Sequence, residues 1–475
     1  MPSGSEFGQV TAATIEELTR IFGVERIVSE PRALARYGRD QVFDPRYGHP
    51  ADVAVKPETT EQIQELMLFA SRESIPVTPR GAGSGLSGGA VPVRGGIVVS
   101  FEKMNRILEI DTRNLIAVVE PGVVTNRLDE ALSPHGLFFA GYPLSEEYCF
   151  IGGNVAENAG GGRAVKYGVA SRYVTGLEIV TPAGEIIQIG GKRYKDVTGL
   201  DLLGLLTGSE GTLALFSKVF LRVLPRPKAR SIARISFGSE SDALAVVPEI
   251  VADSDIAPSA VEFLDGVCLS VTERYLKSES PAGDKAMLFV EIDGADSTAF
   301  SERFARLEAL VRSQSRSIIE IVVSDDDASM ERLWQIRKQV PWALKKMNPM
   351  LTAEDIVVPP AESRALLDFV RELGQTYGVM IPFFGHAGDG NYHASPMKPD
   401  SISDDEWPER LRELLTELYT HTASLGGTIS GEHGIGHKRI EYLPLVLDPA
   451  HRALLARIKH AFDPQGILNP GKLYA

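Results

Sequence analysis

Between Gly81 and Gly96 the chain reads GAGSGLSGGAVPVRGG, and no other stretch restricts the fold so strongly. The run follows IPVTP and precedes IVVSF, both of which read as strands. Within it, Gly83-Ser84-Gly85-Leu86-Ser87-Gly88 formally satisfies the G-x-G-x-x-G pattern of dinucleotide-binding βαβ units. Those units need a helix to open at the loop, so that its N-terminus faces a pyrophosphate. Here Pro92 and the Gly95-Gly96 pair forbid one, since proline lacks an N–H donor and glycine is costly to order as helix. Consecutive N–H groups in a glycine-rich turn still form an anion-binding nest without a helix. The run therefore predicts a phosphate-type loop between two strands.

Around this loop the pattern is β-α-β. TIEELTRIFG and PRALARYGRD read as short helices and DVAVKP as a strand; Thr60 is expected to cap a helix with Ile63, Leu66, Met67 and Ala70 on one face. ILEIDTRNLIAVVEPGV reads as a hairpin. A second glycine-dense zone, from Gly152-Gly153-Asn154 to Gly160-Gly161-Gly162, reads as a loop that would meet the other side of an extended dinucleotide. YVTGLEIVTPAGEIIQI is strand, turn, strand, and Pro225 and Pro227 mark a domain boundary. Beyond it, ARISFG with SDALAVVPEIVADS, then AMLFVEID with TAFSERFARLEALVRS and IIEIVV, predict an α+β domain with an antiparallel sheet and helices on one face. The last helix has Asp448 as cap, Pro449 at its first position, and Leu454, Leu455, Ile458 and Phe462 on one side.

Length and charge narrow the function. A chain of 475 residues is expected to hold roughly two to four domains. The net charge of −14, with no basic cluster, argues against nucleic acid. Cys149 and Cys268 are the only cysteines, which leaves no cysteine-ligated cluster and assigns any redox chemistry to a bound organic cofactor. No apolar stretch is long enough to span a bilayer, and MPSGSEFGQV has neither the basic start nor the apolar core of an export signal. A cytoplasmic location is expected, with docking at the inner face of a membrane through a partner left open.

Chemistry-bearing residues gather late in the chain. GHAGDGNYHAS, directly after the apolar VMIPFF, presents His386 and His393 around a glycine turn, and the glycine-flanked GEHG adds Glu432 and His433. Two histidines and a carboxylate suit a divalent ion with open positions. A polar turn with satisfied core histidines is the competing reading.

In this order, PRGAGSGLSGG, CFIGGNVAENAGG, GSEGTLAL, GHAGDGNYH, SGEHGIGHKR and FDPQGILNPGK resemble the FAD-linked oxidases of the vanillyl-alcohol oxidase superfamily, in the branch of glycolate oxidase flavoprotein subunits and D-lactate dehydrogenases. The resemblance runs from about Asp52 to Lys472. It implies a two-part FAD-binding domain, residues 1–225 and 425–475, with an inserted α+β substrate cap over 226–424. It places the pyrophosphate on Arg80, Gly81, Ala82, Gly83, Ser84, Gly85 and Ser87, the flavin by Gly153, Asn154 and Gly160, the adenine by Ile179, and Asn469 at the isoalloxazine. Cys149 stands where relatives carry cysteine without a flavin bond.

The resemblance further assigns a divalent metal (zinc, manganese or iron) to His386, His393 and Glu432, a base role to His433 and substrate carboxylate binding to Arg337. The implied reaction is oxidation of a small D-2-hydroxy acid, D-lactate or glycolate, to the 2-oxo acid. Relatives acting on 2-hydroxyglutarate carry threonine and lysine where this chain has Pro341 and Ala353, which argues for a small or apolar acid. The implied electron acceptor is external: an iron–sulfur subunit, electron-transfer flavoprotein or quinone. Homo-oligomerisation is left open. Two rival readings are a metal-dependent hydrolase of a phosphorylated substrate and a non-catalytic flavin-binding subunit.

Overall fold

Strand pairing in the N-terminal part begins with a small sheet. The computed structural model describes residues 7–277 and 285–474; the first six residues, part of the segment read for an export signal, lie outside them. Strands β1 (Ile27–Val28), β2 (Val53–Val55), β3 (Val77–Arg80) and β4 (Ile97–Ser100) line up as β1-β2-β4-β3, with β2 and β3 parallel to β4 and β1 antiparallel to β2. The helix Thr60–Glu73 connects β2 to β3 and buries Ile63, Leu66, Met67 and Ala70 against Val53, Val55, Val77 and Val99. Its cap is Thr59, not Thr60: Thr59 is the extended residue, and its hydroxyl accepts the Gln62 N–H at 3.3 Å. Thr60 already has helical backbone and gives its hydroxyl to Glu178 at 2.9 Å. Between β3 and β4 the glycine run contains no helix, as Pro92 and Gly95-Gly96 require.

A second sheet is built from β5 (Ile107–Asp111), β6 (Ile116–Val119), β8 (Val174–Val180), β9 (Ile186–Gly190) and β10 (Leu215–Arg222), ordered β5-β6-β10-β8-β9; β7 (Leu137–Phe138) pairs separately with β11 (Leu224–Pro225). The second glycine zone departs from expectation, because Ile151–Glu157 is a helix, ended by Asn158 in the left-handed region at φ 52°. Its glycine serves close approach rather than a turn: a Cβ on Gly152 would stand 2.5 Å from Pro121. The chain's end returns to the first sheet, where Val77 N–H donates to Ile467 O at 2.8 Å and Asn469 N–H to Val77 O at 2.7 Å. That pairing covers the open edge of β3. The last helix, Pro449–Phe462, is capped by Asp448 as expected, but its apolar side is not its anchor. Leu454 is 48% exposed, whereas Lys459 is buried and donates to Thr212 O, Leu468 O and Asp463.

The second unit holds β12 (Ala229–Phe237), β13 (Ala260–Asp265), β14 (Ala286–Gly294), β15 (Ile318–Ser324), β16 (Ile356–Val357), β17 (Phe383–His386) and β18 (Asn391–Ala394). They form one seven-stranded sheet, β15-β12-β14-β13-β17-β18-β16, antiparallel throughout. The expected helix over SDALAVVPEIVADS divides into Glu240–Ala245 and Val247–Ala252, with Pro248 in the first turn of the second. Contacts divide the chain into a unit of Met1–Gly160, Val169–Arg226 and Glu432–Ala475, and a unit of Gly161–Gly168 and Pro227–Gly431. The eight-residue strap Gly161–Gly168 thus packs with the second unit. Arg163 makes a paired ion contact with Glu291 at 2.7 and 3.1 Å and lies over Trp334, while Lys166 and the Tyr167 hydroxyl hold Asp293.

Candidate functional site

In the first unit, β3 delivers Arg80 to the start of the glycine loop. Its buried guanidinium donates to Arg39 O at 2.6 Å and packs over Tyr37. Gly81, Ala82, Gly83, Ser84 and Gly85 follow without regular structure. Gly83 has φ +72°, and a Cβ there would stand 2.0 Å from Arg80 Nη2, so only glycine fits. The loop is tied down by Gln41 N–H on Gly85 O, by Gly88 N–H on Asp40, and by His437 and Lys438 N–H on Ser87 O. The Ser87 hydroxyl is sealed from solvent with no partner.

The two glycine segments meet: a Cβ on Gly81 would be 3.6 Å from Gly153 Cα, while Gly153 itself faces open space. Asn154 is buried and gives its amide to Thr125 at 2.8 Å; Thr125 also stands 3.2 Å from the Cys149 thiol. Ile179 is buried on β8. Asn469 spends its amide on Gly89 O and Glu210 O and accepts from Lys472. At the far end of the helix Ile151–Glu157, a Cβ on Gly160 would stand 3.5 Å from Glu432 Oε2, so the structure brings Gly160 and Glu432 together. A glycine cradle with open space, a sealed hydroxyl without a partner and a buried arginine fit the phosphates of a dinucleotide.

Several buried charges line the same unit. Glu210 accepts N–H groups of Ile435 and Gly436 at 2.8 and 2.6 Å. Burial raises the pKa of both Glu210 and Glu157, and for Glu157 the Glu210 charge adds to it. Burial also pulls Lys472 down to about 7, against the attraction of Asp40, Glu210 and Glu157. These groups were not singled out in the sequence, where each sits singly among glycines or small residues.

In the second unit, period-two geometry assembles the site. Glu262 on β13 lies opposite His386 on β17, and Phe384 lies opposite His393 on β18. Residues directly opposite, and those two apart, share a face, so Glu262, Phe384, His386 and His393 project together. Glu291 on β14, opposite Ala260, falls on that face as well. The His386 and His393 rings are 5.6 Å apart and nearly perpendicular. Gly385 permits the pairing, because a Cβ there would stand 2.3 Å from Asn391 O. Asp355 Oδ1 is 3.9 Å from His393 Nδ1 and accepts from Asn391, while Asp355 Oδ2 accepts from the Ser430 hydroxyl and Gly431 N–H. The chain then runs directly into Glu432 and His433, whose Oε1 and Nε2 are 3.9 Å apart.

Arg337 sits in the helix Asp327–Met347, which continues through Pro341. It is only 2% exposed, unlike most helical arginines. Nε donates to Glu262 Oε2 at 2.6 Å, the guanidinium lies 5.0 Å over the Phe384 ring, and Nη2 is buried without a partner. Burial pushes the Glu262 pKa up, but the neighbouring His386 and Arg337 hold it below its ordinary value. Glu291 likewise stays below, held by Arg163 and the Trp334 N–H. Two imidazoles on neighbouring strands with carboxylates about them have the donor chemistry of a divalent-ion site.

The sequence matches the family model for the FAD binding domain over residues 51–190, and that for the C-terminal domain of FAD linked oxidases over residues 226–473. The chain belongs to the FAD-linked oxidases. This FAD-linked oxidase is 35% identical to the glycolate oxidase subunit GlcD of Bacillus subtilis over 98% of this chain and 97% of that protein. It is 38% identical to the D-lactate dehydrogenase of Archaeoglobus fulgidus over 89% of this chain and 91% of that one. In fold it matches the 4-ethylphenol oxidase of Gulosibacter chungangensis with a TM-score of 0.78 at 19% identity, over 98% of each chain. The FAD-linked oxidase is thus an FAD-dependent oxidoreductase.

Glu262, Asp355 and Glu291 carry no motif in the sequence that marks them. AVEFLD was not recognised as a strand, although an acid inside an apolar run of strand length was the available signal.

Proposed function

We propose that this FAD-linked oxidase is a dehydrogenase that oxidises a small D-2-hydroxy acid, D-lactate or glycolate, to the 2-oxo acid. The observation that carries the reading is Arg337: a buried guanidinium with a nitrogen left unpartnered, linked through one carboxylate to His386. A buried cation with unused donors suits a carboxylate ligand. The names of the relatives support a 2-hydroxy acid.

Oxidising the alcohol carbon removes a hydride equivalent and a proton, and FAD when bound supplies the two-electron acceptor. Arg337 fixes the substrate carboxylate and thereby orients the neighbouring carbon. His433 accepts the hydroxyl proton at a ring nitrogen. His386, His393 and Glu432 would hold a divalent ion, zinc, manganese or iron, which would supply Lewis acidity for the hydroxyl. Arg80, Gly81, Ala82, Gly83, Ser84, Gly85 and Ser87 would cradle the pyrophosphate of FAD, and Gly153, Asn154, Gly160, Ile179 and Asn469 would complete the cofactor site.

Electrons leave to an external acceptor, an iron–sulfur subunit, electron-transfer flavoprotein or quinone; the word "subunit" in the Bacillus relative's name supports a protein partner. Among the described residues no helix is long and apolar enough to cross a membrane. The reading is tested by anaerobic flavin bleaching with D- and L-lactate, glycolate and D-2-hydroxyglutarate, before and after chelation. Bleaching by D-lactate or glycolate that chelation abolishes, with FAD retained, is expected. Bleaching by none of these acids refutes the reading, and chelator-resistant bleaching removes the metal.

A further inference from the structure

Glu262 touches two groups to which the proposed function gives different tasks. It is fully buried on β13, with Oε1 2.7 Å from His386 Nδ1 and Oε2 2.6 Å from Arg337 Nε. We propose that Glu262 is a positioning residue that sets the tautomer of His386 and the orientation of the Arg337 fork, so that metal binding and carboxylate binding depend on one side chain. The proposal rests on the functional reading above.

The chemistry follows from donors and acceptors. Arg337 is always charged and Nε–H can only donate, so the carboxylate beside it acts as acceptor at both oxygens. With its proton on Nδ1, His386 would bind a metal through the lone pair of Nε2. A carboxylate behind a ligand histidine fixes ring and tautomer in this way. On the other side, anchoring Nε leaves the terminal nitrogen Nη2, buried without a partner, for a ligand, and the guanidinium lies over Phe384, two residues before His386. The strap leaves room for the acid: a Cβ on Gly162 would stand 2.9 Å from Glu262 Oε1.

Simple neutralisation of a buried arginine is the alternative, and the molecule offers a matched comparison. Glu291 lies on the same sheet face, is equally buried and pairs with Arg163 and the Trp334 N–H, but touches no histidine. Gln at position 262 keeps the volume, but it presents one acceptor oxygen and one NH₂, so either Nδ1–H or Nε–H must lose its acceptor.

The test compares the flavin-loaded full-length wild type with Glu262→Gln and Glu291→Gln. Zinc affinity is measured by competition with a chromophoric chelator, and KM for D-lactate alongside it. Expected for Glu262→Gln are zinc binding weakened by roughly 10- to 100-fold and a raised KM; Glu291→Gln should lower the melting temperature while keeping wild-type zinc affinity. Wild-type affinity and KM in Glu262→Gln overturn the proposal, as does an equal loss of zinc binding in Glu291→Gln. A wild type that takes up no zinc sinks the metal part of the functional reading and this proposal with it. Should Glu262→Gln fail to fold, ¹⁵N-histidine spectra of the native chain decide. With nine histidines in the sequence, a His386 signal protonated at Nδ1 supports the assignment and one protonated at Nε2 refutes it.

Discussion

Replacing Arg337 by lysine keeps the charge and removes the geometry. Lysine places a methylene where arginine has Nε, and a single nitrogen where it has the guanidinium carbon, so the donor that meets Glu262 Oε2 at 2.6 Å is lost together with the fork. A hydrogen bond to a charged group is worth about 1.5–3 kcal/mol, so losing one bond to the substrate carboxylate predicts a fall in kcat/KM of roughly 10- to 150-fold. The loss should lie mainly in KM, because carboxylate binding is shared by ground and transition states. Stability should fall by about 1–3 kcal/mol, since a buried carboxylate oxygen loses its donor. Anaerobic stopped-flow reduction over a range of D-lactate concentrations gives both constants, and dithionite reduction serves as a control that needs no carboxylate clamp. A variant that melts earlier but keeps wild-type kinetics would show Arg337 to be a structural partner of Glu262 only.

His433→Asn should retain FAD and slow substrate-dependent flavin reduction by about two to four orders of magnitude; unchanged single-turnover rates would remove His433 from proton transfer. Glu157 and Glu210 predict a pH effect on stability. Glu210 accepts two backbone N–H groups, whereas Glu157 Oε2 is sealed without a partner, so Glu157 carries the proton. A carboxyl whose folded pKa lies above its ordinary 4.5 lends stability at low pH and loses it as pH rises through the folded value. The wild-type melting temperature should therefore drop more steeply than that of Glu157→Gln as pH rises above the ordinary carboxyl range, and parallel curves would contradict the assignment. Turnover with an artificial dye or quinone should exceed turnover with air or NAD; rapid activity with oxygen or NAD alone would rule out a dehydrogenase that needs an external acceptor.

Local chemistry was legible in the sequence because it depends on neighbours in the chain. Pro92 and Gly95-Gly96 exclude a helix after the first glycine loop whatever surrounds them, and Asp448-Pro449 starts the last helix by its own capping. The glycine zone at Gly152 misled for the same reason: its glycines read as a turn, whereas Gly152 is small because Pro121, far off in sequence, packs against it. In the last helix, the apolar side named by periodicity is partly exposed, and the anchor is Lys459, whose acceptors Thr212 O and Leu468 O are delivered by other segments. His386 and His393 were visible as residues, but their surroundings were not. Glu262 is 124 residues from His386 and 75 from Arg337, and only the register of β13 against β17 makes it their common acceptor. A buried acid is tolerable only when donors reach it, and the donors of two other elements meet Glu262 only after the tertiary fold has formed.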